Sequence, residues 1–308
     1  MNRMTKYNYL LSALLLLGVL LSGCNIREDN SDCPRPFRLF IKAQDADGKD
    51  ITDNGDVKQV ILFIFNEKQE IVDVISVPES DFRGGKPINV ELDYPGHQSL
   101  TFVAWANVGD KIEFPASSSV KQWNDLYAKL ITNNGEAQSP GAVFYGNLNV
   151  PVEYGGLEPA GDQTVVMTHR TAQVTITALG LKRWNGNKEG KYEFRLKESQ
   201  DTIEKDGTFS GGPVYYTPAA TMNSEGNMSA PIFNTLPPKD KYTLEILFDG
   251  EVIYSADSGD ATITRATSGT AFVPQLGRVL NIIVDFRAEL SVKVVITPWN
   301  VVYQYVEI

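Results

Sequence analysis

The chain has 308 residues, of which 42% are hydrophobic, and its formal net charge is −10 at neutral pH. This acidic balance argues against nucleic acids and anionic membrane surfaces as electrostatic partners, because like charges repel. The chain has two cysteines, which are too few for a framework of several disulfides.

The first 23 residues predict a lipoprotein signal peptide. Arg3 and Lys6 form its positive end, and residues 10–21 form an apolar run that is too short for a membrane-spanning helix of about 20 residues. The run ends in an LSGC lipobox, in which two small residues precede Cys24 at the cleavage point. We therefore predict that Cys24 becomes the lipidated N-terminus, with acyl chains such as palmitate. The alternative is an ordinary secretory signal with an incidental cysteine.

Residues 24–36 are polar and contain two prolines, so we interpret them as a tether. The residue after Cys24 is Asn25 rather than aspartate, which favours sorting to the outer membrane, and the acidic residues that follow resemble a surface-export signal. Once Cys24 is acylated, Cys33 is the single remaining thiol, so an internal disulfide is excluded. Two roles stay open for Cys33: a half-buried small residue, or one end of an intermolecular disulfide.

The residues after the tether predict a first β-sandwich over 37–160. A run of β-branched and aromatic residues at 57–65 predicts a buried strand, which forms a hairpin with 71–77. Residues 88–92 and 100–106 predict a second hairpin. Apolar residues at helical spacing over 118–132 predict one short helix in this domain. Further strands are predicted at 37–43, 144–146 and 148–152.

A stretch at 154–163 with glycine and proline predicts the boundary with a second β-sandwich over 161–308. Its clearest element is a hairpin around Asp249-Gly250, a dipeptide suited to a type I′ turn. The strands predicted in this domain are 164–167, 172–178, 192–196, 244–248, 251–255, 280–286, 292–296 and 299–308. The fold class is therefore mainly β, with two β-sandwich domains in tandem and a short helix in the first.

The sequence contains no pattern that predicts catalysis, a cofactor or a metal site. His97 and His169 are its two histidines, and neither has a second ligand at the spacing that zinc sites use. A G-x-S-x-G nucleophile motif is absent. Residues 45–50 superficially resemble a calcium loop, but the glycine is misplaced and a lysine replaces a ligand, so we interpret them as a turn.

Three aromatic residues, Tyr215, Tyr216 and Trp184, occur in loop-like surroundings and are candidates for stacking against a glycan. The favoured alternative is that they pack over the edge of a sandwich. The glycan interpretation underlies the alternative function given below, a surface glycan-binding lipoprotein.

Several short motifs occur in an order that resembles a known family. They are Asp32-Cys33-Pro34, VILFIFNE at 60–67, FVAWANVGD at 102–110, FYGN at 144–147, HRTAQVTI at 169–176 and VVITPW at 294–299. Together with the lipobox, this order resembles the fimbrillin-type lipoprotein family, and within it the FimB-like branch of minor or anchoring subunits of type V pili. The resemblance extends over most of the mature chain, although no single motif is specific.

The resemblance implies two transthyretin-like (Greek-key) sandwiches and a non-enzymatic role in a fimbrium. Stalk subunits of this kind assemble by donor-strand exchange: a protease removes an N-terminal strand after an arginine, and a neighbour's terminal strand fills the groove. None of Arg27, Arg35, Arg38 and Arg83 can be matched safely to such a site. The C-terminal segment 292–308 is either an exchanged strand or a resident edge strand.

We therefore expect a lipid-anchored fimbrial anchor or accessory subunit, located at the outer membrane, exposed on the cell surface and contributing to adhesion. Its expected partners are other fimbrial subunits, the outer membrane through the lipid, and a receptor on a host or bacterial surface, but no nucleic acid. The alternative is a surface glycan-binding lipoprotein of a nutrient-uptake system.

Overall fold

The computed structural model describes residues 31–91, 96–257, 272–288 and 290–303. Within these residues the chain is mainly β, as the sequence predicts, with 22 strands in four sheets and two α-helices of four residues each. None of the helices in the described ranges is long and apolar enough to cross a membrane. The signal peptide and Cys24 lie outside these ranges, so cleavage and lipidation stay predictions.

In chain order, the strands of the N-terminal part are β1 (Phe37–Gln44), β2 (Gln59–Asn66), β3 (Ile71–Pro78), β4 (Ile88–Val90), β5 (Ser99–Ala106), β6 (Ile112–Glu113), β7 (Tyr127–Leu130), β8 (Thr132–Asn133), β9 (Glu136–Ala137), β10 (Phe144–Pro151) and β11 (Asp162–His169). The helix α1 (Glu79–Phe82) follows β3. Single 3-10 turns occupy Thr52–Asn54, Ser117–Ser119 and Trp123–Asp125.

The strands of the C-terminal part are β12 (Ala172–Leu179), β13 (Tyr192–Ser199), β14 (Thr202–Glu204), β15 (Phe209–Ser210), β16 (Val214–Tyr216), β17 (Thr221–Met222), β18 (Met228–Thr235), β19 (Pro238–Phe248), β20 (Glu251–Asp257), β21 (Arg278–Asp285) and β22 (Ser291–Pro298). The helix α2 (Leu181–Trp184) follows β12.

The first sheet has seven strands in the order β3-β2-β5-β10-β11-β1-β4. Its pairs are antiparallel except for β1 and β11, which run parallel over seven residue pairs. Strand β2 alternates between the two faces: Val60, Leu62 and Ile64 join one hydrophobic cluster, whereas Phe63 and Phe65 join another. Both faces of this sheet are therefore covered, which explains the uninterrupted apolar run in the sequence.

Two further sheets are built from both halves of the chain. In the four-stranded sheet β15-β14-β7-β6, Ile203 of β14 pairs with Ala128 of β7. In the six-stranded sheet β20-β19-β13-β16-β9-β8, Tyr215 of β16 pairs with Glu136 of β9. The five-stranded sheet β17-β18-β12-β21-β22 comes from the C-terminal part alone. The halves therefore share β-ladders as well as a hydrophobic core.

Two predicted hairpins are confirmed, β2 with β3 and β19 with β20. Between β19 and β20, Asp249 and Gly250 have φ angles of 48° and 86°. A type I′ turn requires this left-handed conformation at both central residues. Glycine adopts it freely, and aspartate is among the residues that tolerate it.

The helix predicted over 118–132 is wrong. The segment contains two 3-10 turns and then β7, in which Ala128 and Leu130 are buried while Lys129 between them is exposed. Strand β7 pairs with β6 on one side and with β14 on the other. Because β14 comes from the far half of the chain, a non-local pairing overrides the local helical spacing.

The hairpin predicted between 88–92 and 100–106 is also wrong, because β4 pairs with β1 while β5 lies between β2 and β10. The strand predicted over 299–308 is wrong in its described part, since residues 299–303 form a turn and an irregular segment. Strand β22 ends at Pro298, which has no N–H to continue a ladder. Residues 304–308 lie outside the described ranges.

The boundary expected between residues 160 and 161 falls before β11. That strand pairs with β1 and β10 in the first sheet, whereas β12 belongs to the five-stranded sheet. We therefore propose that the division between the halves lies between β11 and β12, at residues 170–171.

Candidate functional site

The tether joins the body beside the loop that connects β10 and β11, residues 152–161. Pro34 forms an isolated antiparallel bridge with Tyr154. Gly155 N donates a hydrogen bond to the carbonyl of the half-buried Cys33 at 3.1 Å. The last tether residues are therefore bound along this loop before they continue into β1.

Arg35 fixes the tether to the loop through four hydrogen bonds. Its backbone N donates to Glu153 O at 2.8 Å. Its guanidinium donates to Glu158 O at 2.9 Å, to Pro159 O at 3.1 Å and to the Glu153 carboxylate at 3.2 Å. A guanidinium presents five N–H donors in a planar fork, which suits several acceptors within one loop. We call this arrangement the Arg35 clamp.

The same loop is hydrogen-bonded to a neighbouring segment. The Tyr154 hydroxyl donates to His97 O at 2.7 Å and accepts from Gly96 N at 3.0 Å. Gln98 N donates to the Glu67 carboxylate at 3.3 Å, and backbone N–H groups of Glu67 itself and of Gln98 lower the pKa of that carboxyl. His97 therefore helps to hold the loop at this end of the body, through its backbone carbonyl. We call this surface the tether-exit face; it comprises residues 33–35, 66–70, 96–98 and 152–161.

The sequence does not reveal the Arg35 clamp, because the acceptors lie 118 to 124 residues further along the chain. One signal was available. Prolines at 34 and 36 bracket Arg35, and a proline favours extended backbone in the residue before it. This predicts an extended Arg35 but does not identify its partners.

His169, at the end of β11, is buried at the junction of the two halves. Its ring lies between those of Phe144 and Trp299, at centroid distances of 4.1 Å and 4.2 Å. Neither ring nitrogen has a hydrogen-bond partner among the described residues, and burial lowers the pKa of His169 to about 4. Asp45 opposes this shift, and Arg278 lines the same cavity of about 270 Å³. The imidazole is therefore neutral at physiological pH.

Residues 45–50, which superficially resemble a calcium loop, contain the predicted turn. One carboxylate oxygen of Asp45 accepts hydrogen bonds from the backbone N of Asp47 and of Lys49, both at 2.9 Å. Across the part of the chain that the structure describes, no three His, Cys, Asp or Glu side chains come together as metal ligands.

The three aromatic residues considered for glycan stacking do not form a common surface. Tyr216 is buried, which raises the pKa of its hydroxyl to about 12. The Tyr215 ring lies 5.0 Å from the Arg195 guanidinium. Trp184 is 44% exposed, yet its ring rests on Phe286 at a centroid distance of 4.6 Å. These contacts favour packing over the edges of the sheets.

The C-terminal strand is resident in this structure. Strand β22 pairs with β21 over eight residue pairs and buries Val292 and Val294 in the core. Beyond it, Asn300 N donates to Gln173 Oε1, and Gln173 Nε2 donates back to Asn300 Oδ1, each at 2.8 Å. The turn after β22 is therefore tied to β12.

The sequence matches the family model of the fimbrillin-A associated anchor proteins Mfa1 and Mfa2 over residues 30–305. The major fimbrium anchoring subunit FimB of Porphyromonas gingivalis strain W83 is 38% identical over 305 residues, which cover 97% of this chain and 98% of the relative. FimB of strain ATCC 33277 is 37% identical over 305 residues, with the same coverage. The resemblance to FimB-like anchoring subunits is confirmed.

Solved structures agree with this fold. The fimbrial anchor protein Mfa2 from Porphyromonas gingivalis aligns with a TM-score of 0.62 at 15% identity, covering 87% of this chain and 98% of that one. A Bacteroides thetaiotaomicron protein named for polysaccharide binding aligns with a TM-score of 0.65 at 16% identity, covering 86% and 98%. At these identities the alignments show a shared fold alone. By its family match and its FimB relatives, the chain belongs to the fimbrillin-A associated anchor proteins.

Proposed function

We propose that this chain is a lipid-anchored fimbrial anchor subunit, held at the outer membrane by acyl chains on Cys24 and exposed on the cell surface. Membership of the anchor family supplies the general role, association with a fimbrium. The observation that carries the lipid-anchored form is the Arg35 clamp, which ties the chain into the body only eleven residues after Cys24. A pull on the lipid would thereby load the 152–161 loop as well as the start of β1.

Lipid anchoring requires that the chain stay intact between Cys24 and the body. A protease that cuts after arginine must bind an extended segment with a free guanidinium. Arg35 precedes Pro36, and its guanidinium is held by the clamp. Arg38 lies inside β1, between β4 and β11, and forms an ion pair with Asp162 at 3.4 Å. Both arginines are held in the folded body, which supports retention of the lipid, whereas Arg27, nearer to Cys24, lies outside the described ranges.

The proposed partners are other fimbrial subunits that join by β-strand donation. We propose that this chain accepts a strand rather than gives one. Loss of β22 would expose Val292 and Val294. It would also remove two of the three acceptors of the buried Asn281 amide, Val295 O at 3.0 Å and Thr297 Oγ1 at 2.9 Å, and leave Val279 O at 3.3 Å. Strands β3, β20 and β22 end their sheets in the described part of the chain, so their outer edges are the proposed places for an added strand.

The proposed role is structural rather than enzymatic, and adhesion is proposed to come from the assembled fimbrium. The alternative, glycan binding in nutrient uptake, has weaker structural support. Of the three aromatic residues that suggested it, only Trp184 is substantially exposed, and it packs on a neighbouring ring. The Bacteroides thetaiotaomicron protein is named for polysaccharide binding, but its similarity to this chain shows a shared fold alone.

The test combines mass spectrometry with a Cys24→Ser substitution in cells that make the fimbrium. We expect the surface protein to begin with an acylated Cys24. We expect Cys24→Ser to release fimbriae into the medium without changing the unfolding temperature of the purified body. Cys33→Ser is the matched control and should leave fimbriae attached. A mature N-terminus that follows an arginine, or fimbriae retained on the Cys24→Ser cells, would contradict the proposal.

A further inference from the structure

The tether-exit face carries an exposed apolar tip. Leu157, in the middle of the 152–161 loop, is 69% exposed, more than any other large hydrophobic side chain in the described ranges. Tyr154, three residues earlier in the same loop, is 36% exposed. The hydroxyl of Tyr154 is hydrogen-bonded to the 96–98 segment, so its polar end is satisfied while part of its ring faces outward.

The loop holds this tip in a fixed place. The Arg35 clamp binds the loop at Glu153, Glu158 and Pro159, on both sides of Leu157. Within the clamp, the Arg35 guanidinium lies 3.2 Å from the Glu153 carboxylate and offsets the charge of one of the two glutamates in the loop. Because the loop is held on both sides of Leu157, it can present this apolar side chain outward without folding over it.

The short tether limits the distance between this tip and the proposed lipid. Six residues lie between Cys24 and Ser31, the first described residue, so the two are seven residue steps apart. Fully extended, seven residues span at most about 25 Å, and a flexible coil of this length averages roughly 15 Å. An acylated Cys24 would therefore keep the tether-exit face within about 25 Å of the lipid, a distance set by that same extended length.

We propose that Leu157 and Tyr154 contact the bilayer, so that the tether-exit face rests on the membrane and fixes the orientation of the body. This inference rests on the proposed acylation of Cys24. A tyrosine with an apolar ring and a satisfied polar end suits the membrane–water boundary. A protein partner fits this surface less well, because two side chains fall far short of the roughly 800 Å² that each partner buries in a stable protein interface.

The test uses the full-length lipoprotein in vesicles of phosphatidylethanolamine with a minority of phosphatidylglycerol. In a Cys33→Ser background, an environment-sensitive fluorophore is attached at Leu157→Cys or, as the control, at Val252→Cys on β20. Val252 is 49% exposed and lies in the C-terminal part, away from the tether. The reference for each is the unlipidated Cys24→Ser protein in buffer, labelled at the same position.

The expected result is a blue-shifted emission and a loss of quenching by aqueous iodide at position 157 in vesicles, with no change at position 252. An unchanged spectrum at position 157 in protein that floats with the vesicles would overturn this inference and leave the proposed anchoring intact. Shielding of position 157 that persists in the unlipidated protein would also overturn it, in favour of a protein contact. If Cys24 carries no acyl mass and the protein does not float, the proposed function itself fails, and this inference fails with it.

Discussion

His169 shows how one buried side chain can link the two halves to the pH of the surroundings. Its ring is enclosed by Phe144 from β10 and by Trp299 from the turn after β22. The charged groups that line the adjoining cavity are the carboxylates of Asp45, Asp47 and Asp56 and the Arg278 guanidinium. Of these, Asp45 favours the protonated imidazole, but burial outweighs it and the ring is held neutral.

We expect His169 to lower the stability of the folded protein as the pH falls from about 6.5 towards 4. Above the ordinary histidine pKa of 6.5 the ring is neutral in both states, so it adds no pH dependence. Below that value the unfolded chain binds a proton that the folded chain resists, which costs about 3 kcal/mol once the pH reaches 4. His169→Phe keeps a ring between Phe144 and Trp299 and should remove this component.

The measurement is the free energy of unfolding in urea at a series of pH values for the two proteins. Carboxylates titrate in both, so the difference between the two curves isolates His169. Curves that stay parallel from pH 7 to about 4 would contradict the assignment, because linkage requires them to diverge there.

Among the elements, β10 depends on a glycine where it passes β11. The two strands pair only through Phe144 with His169 and Tyr145 with Thr168. At the next residue, a Cβ atom on Gly146 would lie 2.2 Å from the carbonyl oxygen of Val166. The Val166 carbonyl oxygen is a backbone atom, so it can move away only if strand β11 moves as well. Any side chain at this position would separate the two strands.

Gly146→Ala should therefore lower the free energy of unfolding by at least 1–3 kcal/mol, roughly the range for overpacked interiors. Gly161→Ala is the matched control, because no heavy atom lies within 4 Å of the place of its Cβ. Urea unfolding of both variants gives the comparison. Equal free energies of unfolding for the two variants would show that β10 and β11 can separate at this point without a loss of stability.

The elements that the sequence predicts correctly are those with local causes. The β2–β3 and β19–β20 hairpins follow from apolar runs on either side of a short turn. The failures share a distant partner: β7 takes its place from β14, and β4 pairs with β1 instead of β5. The site follows the same division. Cys24 is inferred from adjacent residues and stays a prediction, whereas the Arg35 clamp depends on a loop more than a hundred residues away.

For the whole molecule, the main consequence is that the two halves share one hydrophobic cluster, while a second cluster belongs to the N-terminal half alone. Strand β14 lies in a sheet with β7, strand β16 pairs with β9, and one hydrophobic cluster includes residues of both halves. Ile203 of β14 is almost fully buried in that cluster. A cavity at Ile203 should therefore lower the stability of both halves.

We expect Ile203→Ala to lower the stability of both halves together, by about 2–5 kcal/mol, because it leaves a cavity in the shared core. Native-state hydrogen exchange measured by mass spectrometry reports each half separately. Peptides from β2 and β5 should lose as much protection as peptides from β12 and β21. Ile131→Ala is the control, since Ile131 is 41% exposed. A loss confined to the C-terminal part would show that the halves unfold independently.

The parallel pairing of β1 with β11 also decides how the molecule resists force. Under the proposed acylation of Cys24, a pull on the lipid would load the Arg35 clamp first and then reach β1 at its first residue, Phe37. If the fimbrium pulls from the far end of the body, the seven residue pairs between β1 and β11 are sheared at once rather than peeled apart in turn. The Arg35 clamp must fail as well before β1 can slide. If the body is anchored through Cys24 as proposed, its first strand would serve as a shear joint between membrane and fibre.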